Sequence, residues 1–581
     1  MPPRSRSSTK RSRSAKGTAR KRPVAAPDLP ARMPGERVWL LELPWGGIGG
    51  ALPPGTRYYK ALKAHAYAGA SLPPELVPYA SKPYSYQRWL EDDLNGDRGP
   101  GAVAPAKAPF PEQIDDARAV AVAAAAGYRG VLVSNGVGTG KTIVALLAAK
   151  IIARMRGIDT ILITVDRPAR STIPSWRNTL ASLGDDGLRW VIISTDGLSK
   201  LIAPNGRPRA RFGLIVNDEA HQFRHESKRT AYMRRINRLS ESASTAPFVL
   251  SITATPSHQP GELGYLSSLY AQVHGDAPSE WSDFGKALAD RGEPLVKSYG
   301  KWTWSPEAKG DPKTQQESIR RTRDLLLQHD PPLMINRQAP WGPPPFDVTL
   351  VELTPDQWRS YELEWGEFRR QMKIARSGND VAKGLAALMR MRQKAAMLRV
   401  EHTVDVVKAE LENGYQVLVA TELVSTAADP VAEMLEQSGI PVARIYGGNP
   451  DLEEERLRFQ RGEATVVVFN TATSINLQAN EQLPDGSTAT STPRRGLFHQ
   501  PRYSGILAQQ VMGRSHRNHQ VCAWSLLAAA DTIEHRAAEI MYGRLIASAT
   551  STDGDTSALE SVAHIFGADW IPGAALGDAL T

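Results

Sequence analysis

The chain has 581 residues, 41% of them hydrophobic, which is enough material for several buried cores. Its formal net charge is +9, and residues 1–27 hold nine Lys or Arg and no acid, so the remainder is close to neutral. The single cysteine, Cys522, excludes an internal disulfide framework and a Cys-based zinc site. No apolar run approaches the roughly 18 residues that span a bilayer, and no secretory signal is present, so we expect a soluble cytoplasmic protein.

The composition is biased at both ends of the chain. Residues 1–36 are rich in Ser, Lys and Arg without apolar periodicity, which predicts a disordered basic tail suited to polyanions such as DNA, RNA or acidic lipid. The alternative is a tail that only keeps the chain soluble. Residues 37–105, rich in Pro, Tyr and Gly, form an N-terminal extension without a predicted fold, and residues 549–581 form a C-terminal tail.

Ten short apolar runs occur in two series, separated by helical patterns. The first series is residues 130–134, 160–165, 190–195, 212–216 and 248–253, and the second is residues 416–421, 442–447, 465–471, 496–500 and 522–528. Continuous apolar runs that alternate with helices predict parallel strands covered on both faces. The predicted fold class is therefore α/β, with two parallel-sheet domains in tandem at residues 106–258 and 346–548. Residues 259–345 are predicted to be a helical insertion or linker between them.

A glycine-rich loop follows the first strand, in the sequence NGVGTGKT. Its glycines would let backbone N–H groups approach phosphate oxygens, and the next helix would add the positive end of its dipole. Lys141 would reach the β- and γ-phosphates of ATP, and Thr142 would bind Mg²⁺. The predicted ATP-binding residues of this loop are Asn135, Gly136, Gly138, Thr139, Gly140, Lys141 and Thr142. A glycine-rich turn that happens to precede a helix is the alternative.

Two carboxylates end another predicted strand, in the sequence FGLIVNDEAHQF. The carboxyl ends of the strands are where open parallel sheets bind ligands. Asp218 would hold Mg²⁺, and Glu219 would polarise the attacking water. The alternative is a pair of carboxylates that only caps a helix.

Two arginines lie three residues apart in the second domain, in the sequence AQQVMGRSHRNHQ. Arg514 and Arg517 would stabilise transition-state charge at a γ-phosphate from the facing domain, and only when the cleft closes. Without the other motifs, a solvated helix face would be the favoured interpretation of these two arginines.

In their order and spacing these motifs resemble helicase superfamily 2, and within it the Swi/Snf-like DEAD/DEAH-box DNA-dependent ATPases. The resemblance covers about residues 105–545. ITATP (252–256) is similar to motif III, and Gln113 in FPEQIDDA is similar to the adenine-reading Q motif. Further similar segments are residues 166–176 and 194–198 for motifs Ia and Ib, and residues 333–340, 348–362, 388–396, 445–471 and 531–539 for the Swi/Snf branch.

The resemblance implies two RecA-like domains, ATP and Mg²⁺ as cofactors, and DNA, double-stranded in this branch, as partner. It implies that His221, Thr253, Thr255 and Gln510 couple hydrolysis to domain movement. The implied nucleic-acid contacts are Thr164, Arg170, Ser171, Thr195, Thr421 and Thr471. Each of these six could equally be a strand-end hydroxyl or a surface cation.

Three features depart from the family pattern. Ser474 stands where motif V usually has glycine, residues 481–495 are an insertion, and motif VI continues as Asn518-His519-Gln520. These departures are typical of a divergent phage or bacterial member. They concern the coupling of ATP turnover to nucleic acid rather than ATP binding.

The sequence therefore predicts an ATP-dependent DNA translocase or helicase that moves along or remodels duplex DNA. A strand-separating or RNA-dependent helicase is the alternative within the class. From another class, the chain could be an ATP-gated DNA-binding scaffold for a nuclease or methyltransferase partner. Replication, repair and restriction are the settings in which protein partners would be sought, and the oligomeric state stays open.

Overall fold

The computed structural model describes residues 37–41, 43, 52–59, 64–69, 71–84, 108–166, 169–203, 205–239, 241, 245–275, 283–298, 300–377, 381–447, 449, 451–470, 475–483, 485–552 and 554. The predicted basic tail and residues 555–581 of the predicted C-terminal tail lie outside the described residues. The chain divides into two compact units, one made of Met1–Pro83 and Ile202–Arg209 and the other of Tyr84–Leu201 and Ala210–Thr581.

The N-terminal extension contains a four-stranded sheet with the strand order β2-β3-β1-β4. Its strands are β1 (Arg37–Leu41), β2 (Thr56–Tyr59), β3 (Ala64–Gly69) and β4 (Ala80–Tyr84). Strands β1 and β2 both pair with β3 in antiparallel register. A region for which the sequence predicted no fold therefore forms a small antiparallel sheet.

The first parallel sheet and its helices form what we call the first lobe, residues 108–335 without Ile202–Arg209. The elements of its N-terminal part are α1 (Pro111–Ala125), β5 (Gly130–Val133), α2 (Lys141–Arg156), β6 (Thr160–Val165), α3 (Ala169–Leu183), β7 (Arg189–Ser194), β8 (Leu214–Asp218), α4 (Lys228–Asn237) and β9 (Phe248–Ile252). Short 3₁₀ segments lie at Thr195–Leu201, Ala220–Phe223 and Pro260–Leu269. All five strands coincide with the predicted first series.

The stretch predicted as a helical insertion or linker is only partly helical. Its elements are α5 (Tyr270–His274), α6 (Asp283–Asp290), β10 (Leu295–Ser298), β11 (Lys301–Trp304), α7 (Pro306–Lys309), α8 (Pro312–Gln328) and β12 (Met334–Ile335). Strands β10 and β11 form an antiparallel hairpin, and β12 pairs parallel with β5. The strands of this stretch are short, with four residues in β10, four in β11 and two in β12, so they leave no apolar run in the sequence.

The strand order of the first sheet places three predicted motifs side by side. The order is β12-β5-β9-β8-β6-β7, with every pairing parallel. Because β5, β9 and β8 are neighbours, the loops that leave their carboxyl ends lie along one short edge. These loops carry the glycine-rich sequence, the ITATP sequence and the paired carboxylates.

A second parallel sheet and its helices form the second lobe, residues 346–552. Its elements are β13 (Phe346–Val351), α9 (Pro355–Ser377), α10 (Val381–Leu398), α11 (Val400–Glu412), β14 (Gln416–Ala420), α12 (Asp429–Gln437), β15 (Val442–Ile445), α13 (Leu452–Gln460), β16 (Val466–Phe469), β17 (Arg494–Phe498), α14 (Gly505–Met512), β18 (Cys522–Ala529) and α15 (Ile533–Ser551). The strand order is β13-β18-β17-β14-β16-β15, again all parallel. The five strands of the predicted second series are present.

Both faces of the second sheet are buried, as continuous apolar strands require. Leu418 and Ala420 of β14 pack in one core, while Val417 and Val419 pack in another on the opposite face. Two tandem α/β lobes with parallel sheets are therefore confirmed. Within the part of the chain that the structure describes, the search for a helix with the length and apolarity of a membrane span finds none.

Candidate active site

The glycine-rich loop, residues 134–140, turns from the end of β5 into the start of α2. Gly138 and Gly140 have φ angles of 84° and 81°, a left-handed backbone that glycine adopts at little cost. Gly140 stands directly before the helix, and Lys141 is its first residue. The loop therefore has the strand, turn and helix order that cradles phosphate, with the positive end of the helix dipole at the carboxyl edge of the sheet. We call residues 134–140 the phosphate loop.

The Lys141 ammonium is held inside this loop. Its Nζ donates to the carbonyl oxygens of Asn135 at 2.9 Å and Gly136 at 3.1 Å. Burial lowers the pKa of Lys141 to about 8, although the charges of Glu219 and Asp218 act in the opposite direction. The lysine thus lies within electrostatic reach of both predicted carboxylates.

Gln113 at the start of α1 contacts the phosphate loop directly. Its Oε1 accepts from the backbone N of Phe110 at 3.0 Å, and its Nε2 donates to the carbonyl oxygen of Thr139, also at 3.0 Å. A Cβ atom built on Gly140 would lie 2.2 Å from this Nε2. The glycine is therefore required for the close approach of the glutamine as well as for its φ angle.

Asn135 is fully buried beneath the loop. Its Nδ2 donates to Oδ2 of Asp116 at 2.6 Å, and the same oxygen accepts from Nη2 of Arg337 at 2.8 Å. The backbone N of Gly136 donates to the carbonyl oxygen of Arg337 at 2.9 Å. The segment that follows β12 therefore supports the phosphate loop from below, a role that the sequence did not suggest for either Asp116 or Arg337.

The two carboxylates at the end of β8 have opposite electrostatic environments. Oδ2 of Asp218 accepts from Nε1 of Trp176 at 2.8 Å, and burial together with the charge of Glu219 raises the pKa of Asp218 to about 7. Burial also acts to raise the pKa of Glu219, but the hydrogen bond from His221 and the charge of Lys141 outweigh it and hold that pKa at about 2. Environments that separate two neighbouring carboxylates in this way are typical of acid–base sites.

Three of the residues expected to couple hydrolysis to movement form one buried network with Glu219. Nδ1 of His221 lies 2.9 Å from Oγ1 of Thr253 and 3.3 Å from Oε2 of Glu219. The backbone N of Thr255 donates to Oγ1 of Thr253 at 3.2 Å. Because Thr253 follows β9 and Glu219 follows β8, the network ties two strand ends together. Gln510, the fourth residue, is buried in α14 of the second lobe.

The second lobe meets the phosphate loop at the predicted arginines. A Cβ atom built on Gly138 would lie 3.1 Å from Cβ of Arg517, and one built on Gly513 would lie 2.3 Å from Cγ1 of Val137. Burial lowers the pKa of Arg514 to about 10, and the charge of Arg517 acts in the same direction. Both arginines also act to lower the pKa of Lys141. Three cations from two lobes thus converge on one loop.

The residues around the phosphate loop fit a nucleoside triphosphate with Mg²⁺. In the described residues, the buried Nε atoms of Arg514 and Arg517 have no hydrogen-bond partner. Buried cations that repel one another are stabilised by an anion between them, and a polyphosphate supplies several acceptor oxygens. Thr142, beside Lys141, and Asp218 supply the oxygen ligands that Mg²⁺ prefers.

The three predicted nucleic-acid contacts whose side chains the structure describes are buried. Oγ1 of Thr164 donates to Oδ1 of Asn217 at 3.0 Å, and Oγ1 of Thr195 donates to Oε1 of Gln222 at 3.2 Å. Thr421 is fully buried as well. Burial favours the alternative interpretation of these three as strand-end hydroxyls. The side chains of Arg170 and Ser171 and the whole of Thr471 lie outside the described residues, as does Ser474.

Two tryptophans at the site were missed by the sequence interpretation. Trp176 on α3 donates to Asp218, and the ring of Trp341 lies with Cζ2 3.1 Å from where a Cβ of Gly138 would be. Both residues stood inside or beside segments matched to the family. Nothing in the sequence indicated either contact. A tryptophan that reaches the site from another element has no fixed distance in sequence from the motif that it contacts.

Comparison with known proteins gives structural likeness only. No family model matches the chain, and no curated protein matches it. Among solved structures, the SWI2/SNF2 ATPase core of Sulfolobus solfataricus in complex with dsDNA is similar at 15% identity, over 80% of this chain and 99% of that chain, with a TM-score of 0.31. The same core domain in a second structure gives 15% identity over 81% and 97%, with a TM-score of 0.31. At this identity and TM-score the likeness adds nothing to what the strand order itself establishes.

Proposed function

We propose that the chain is an ATP-dependent DNA translocase or helicase, a nucleic-acid-dependent ATPase that hydrolyses ATP with Mg²⁺ and moves along or remodels duplex DNA. The observation that carries the proposal is the approach of Gly513 and Arg517 of the second lobe to the phosphate loop of the first. An arginine supplied from a facing lobe makes hydrolysis depend on closure of the cleft between the lobes.

Each residue of the cluster has a role in this proposal. The phosphate loop and Lys141 bind the phosphates, and Glu219, whose low pKa keeps it ionised at neutral pH, orients the water that attacks the γ-phosphate. Arg514 and Arg517 stabilise the charge that develops on the phosphate oxygens. Mg²⁺, when held by Thr142 and Asp218, would neutralise charge on the β- and γ-phosphates.

Gln113 supports the phosphate loop in addition to any contact with adenine. Both ends of its amide are engaged, one by Phe110 and the other by Thr139. Its Nε2 carries a second hydrogen, which remains for a base. We therefore propose that Gln113 couples the binding of adenine to the position of the phosphate loop, through its hydrogen bond to Thr139.

DNA is proposed as the polymer on the strength of the sequence. The motif order resembles the Swi/Snf-like branch, and the nine cations of residues 1–27 suit a polyanion. Contacts of this kind would be sequence-independent and weakened by salt. The buried threonines Thr164, Thr195 and Thr421 are not retained as phosphate contacts of the conformation described here.

The experiment that tests this function compares ATP hydrolysis with duplex DNA, single-stranded DNA, forked DNA and RNA, each with and without Mg²⁺. Stimulation by duplex DNA is the expected result. Stronger stimulation by forked DNA or RNA would favour the strand-separating or RNA-dependent alternative. Hydrolysis without stimulation by any polymer would favour the ATP-gated scaffold, and the absence of any hydrolysis would contradict the proposal.

A further inference from the structure

Arg517 begins a tight turn with an unusual backbone. Its backbone N donates to the carbonyl oxygen of Gln520 at 3.2 Å, and the backbone N of Gln520 donates back at 2.9 Å. The two central residues, Asn518 and His519, have φ angles of 52° and 63°. Two successive positive φ angles define a type I′ turn, which favours Asn and Gly and disfavours most other residues. We call Arg517 to Gln520 the arginine turn.

Amide side chains from another segment brace the arginine turn. Oε1 of Gln478 accepts from Nδ2 of Asn518 at 3.0 Å, and Nδ2 of Asn480 donates to Oε1 of Gln520 at 3.3 Å. One residue earlier, the backbone N of Leu477 donates to the carbonyl oxygen of Arg514 at 2.9 Å. Three residues of one short segment, Leu477, Gln478 and Asn480, therefore hold three points of the arginine region.

The bracing segment is itself fixed to the body of the second lobe. Nε2 of Gln460, at the end of α13, donates to the carbonyl oxygen of Gln478 at 3.1 Å. Nη1 of Arg456, on the same helix, donates to Oε2 of Glu481 at 2.7 Å. Both helix residues are buried. A brace anchored on a buried helix can hold a turn in place, whereas a free loop could not.

The opposite side of the turn faces the phosphate loop. The rings of His519 and Trp341 meet edge to face, with centroids 5.6 Å apart. Trp341 and Arg517 both lie against Gly138. The turn is thus held between the bracing segment of its own lobe and the phosphate loop of the first lobe.

We propose that Gln478 and Asn480 are positioning residues for Arg517, so that the segment before the insertion sets the rate of ATP hydrolysis without binding the nucleotide. The inference rests on the proposed function. It connects one departure from the family pattern, the altered sequence Asn518-His519-Gln520 after motif VI, with the segment that directly precedes the inserted residues 481–495. An arginine misplaced by about 1 Å can lose a large part of its effect on the transition state.

The test measures steady-state hydrolysis and nucleotide affinity for the full chain and for Gln478→Ala and Asn480→Ala. We expect kcat to fall about 10-fold or more while the Kd for a fluorescent ATP analogue stays within about twofold. Gln478→Glu keeps an acceptor for Asn518 and should restore most of kcat. Gln482→Ala is the matched control, because Gln482 lies in the same segment and donates to Thr488 rather than to the turn.

The outcomes separate the inference from the proposed function. Unchanged kcat in both alanine variants, or a loss in the control Gln482→Ala as large as that in Gln478→Ala, would overturn the positioning role. Asn480 is exposed but has a φ angle of 55°, which glycine adopts more easily than alanine, so Asn480→Gly is measured beside Asn480→Ala and should melt with the wild-type chain. A loss of rate only where melting also shifts would overturn the role as well. A wild-type chain that hydrolyses no ATP would remove the proposed function, and the positioning role with it.

Discussion

Gly513 lies so close to Val137 that a Cβ atom placed on the glycine would be 2.3 Å from Cγ1 of the valine and 2.8 Å from its Cβ. The glycine ends helix α14 with φ −70° and ψ 1°, a backbone that any residue can adopt. A residue without a side chain is therefore needed at position 513 because the two lobes approach closely there, and not because of the backbone conformation.

We expect Gly513→Ala to slow hydrolysis about 10- to 100-fold, because the new methyl group prevents the closest approach of the arginines to the phosphate loop. Val137→Gly removes both of the side-chain atoms that would clash, so the double variant should recover most of the rate. Steady-state ATPase assays of the two single variants and the double variant measure this. Gly447→Ala is the control, since no atom of the described residues lies within 4 Å of its added Cβ. Additive losses in the double variant would contradict the steric explanation.

Substitutions at the phosphate loop and at the base should separate binding from chemistry. Lys141→Ala should abolish hydrolysis and weaken ATP binding, because the Nζ that holds the phosphates is lost. Glu219→Gln should lower the rate by about 10²- to 10⁴-fold while ATP still binds, because only the activation of water is removed. Isothermal titration beside single-turnover hydrolysis distinguishes the two effects. Turnover like that of the wild type in either variant would show that the site is wrongly assigned.

Arg517→Ala should lose hydrolysis by about 10³- to 10⁵-fold and keep both ATP and DNA binding. The arginine lies in the second lobe, and its expected contribution is to the charge of the transition state rather than to the ground state. Single-turnover rates, nucleotide titration and a gel shift with duplex DNA test the three parts separately. A proportionate loss of nucleotide affinity would instead make Arg517 a binding residue.

Deletion of residues 1–27 should weaken DNA affinity at low salt more than it lowers the DNA-saturated ATPase rate. These residues hold nine cations and no predicted catalytic motif. Their effect should fade as salt rises, since counterion release and screening reduce contacts between a charged tail and phosphate. Binding titrations at several salt concentrations measure the slope. Equal affinity of the two chains at low salt would leave the solubilising tail as the better interpretation.

The strands that could be predicted from sequence are those buried on both faces. Residues 466–469 are an unbroken apolar run, residues 160–165 are apolar except for Thr160 and Thr164, and every side chain of these strands is buried. Strand β13 was missed because the polar residues Asp347 and Thr349, at half-buried and exposed positions, break the apolar run. Strand β12 was missed because it is only two residues long.

The residues of the candidate site also fall into some that the sequence could predict and some that it could not. Lys141, Asp218 and Glu219 could be predicted because each ends a strand or begins a helix at a spacing fixed by local chemistry. The arginine turn could not, because positive φ angles at Asn518 and His519 leave no pattern in the sequence. The burial of Thr164 and Thr195 also depends on partners 53 and 27 residues away in the chain. Such partners are set by tertiary packing alone.

The connection between the lobes is short and begins at the nucleotide end of the first sheet. Gly136 donates to the carbonyl oxygen of Arg337, and Trp524 in the middle of the second sheet donates to that of Pro345 at 2.8 Å. The intervening stretch contains four prolines, whose rings restrict the backbone, and Gly342, which has a φ angle of 72°. A rotation of the second lobe about this point would act as a lever with a short arm at the arginines and a long arm at the far rim of the lobe. A small movement near the phosphates would then produce a larger displacement at the far surface of the second lobe.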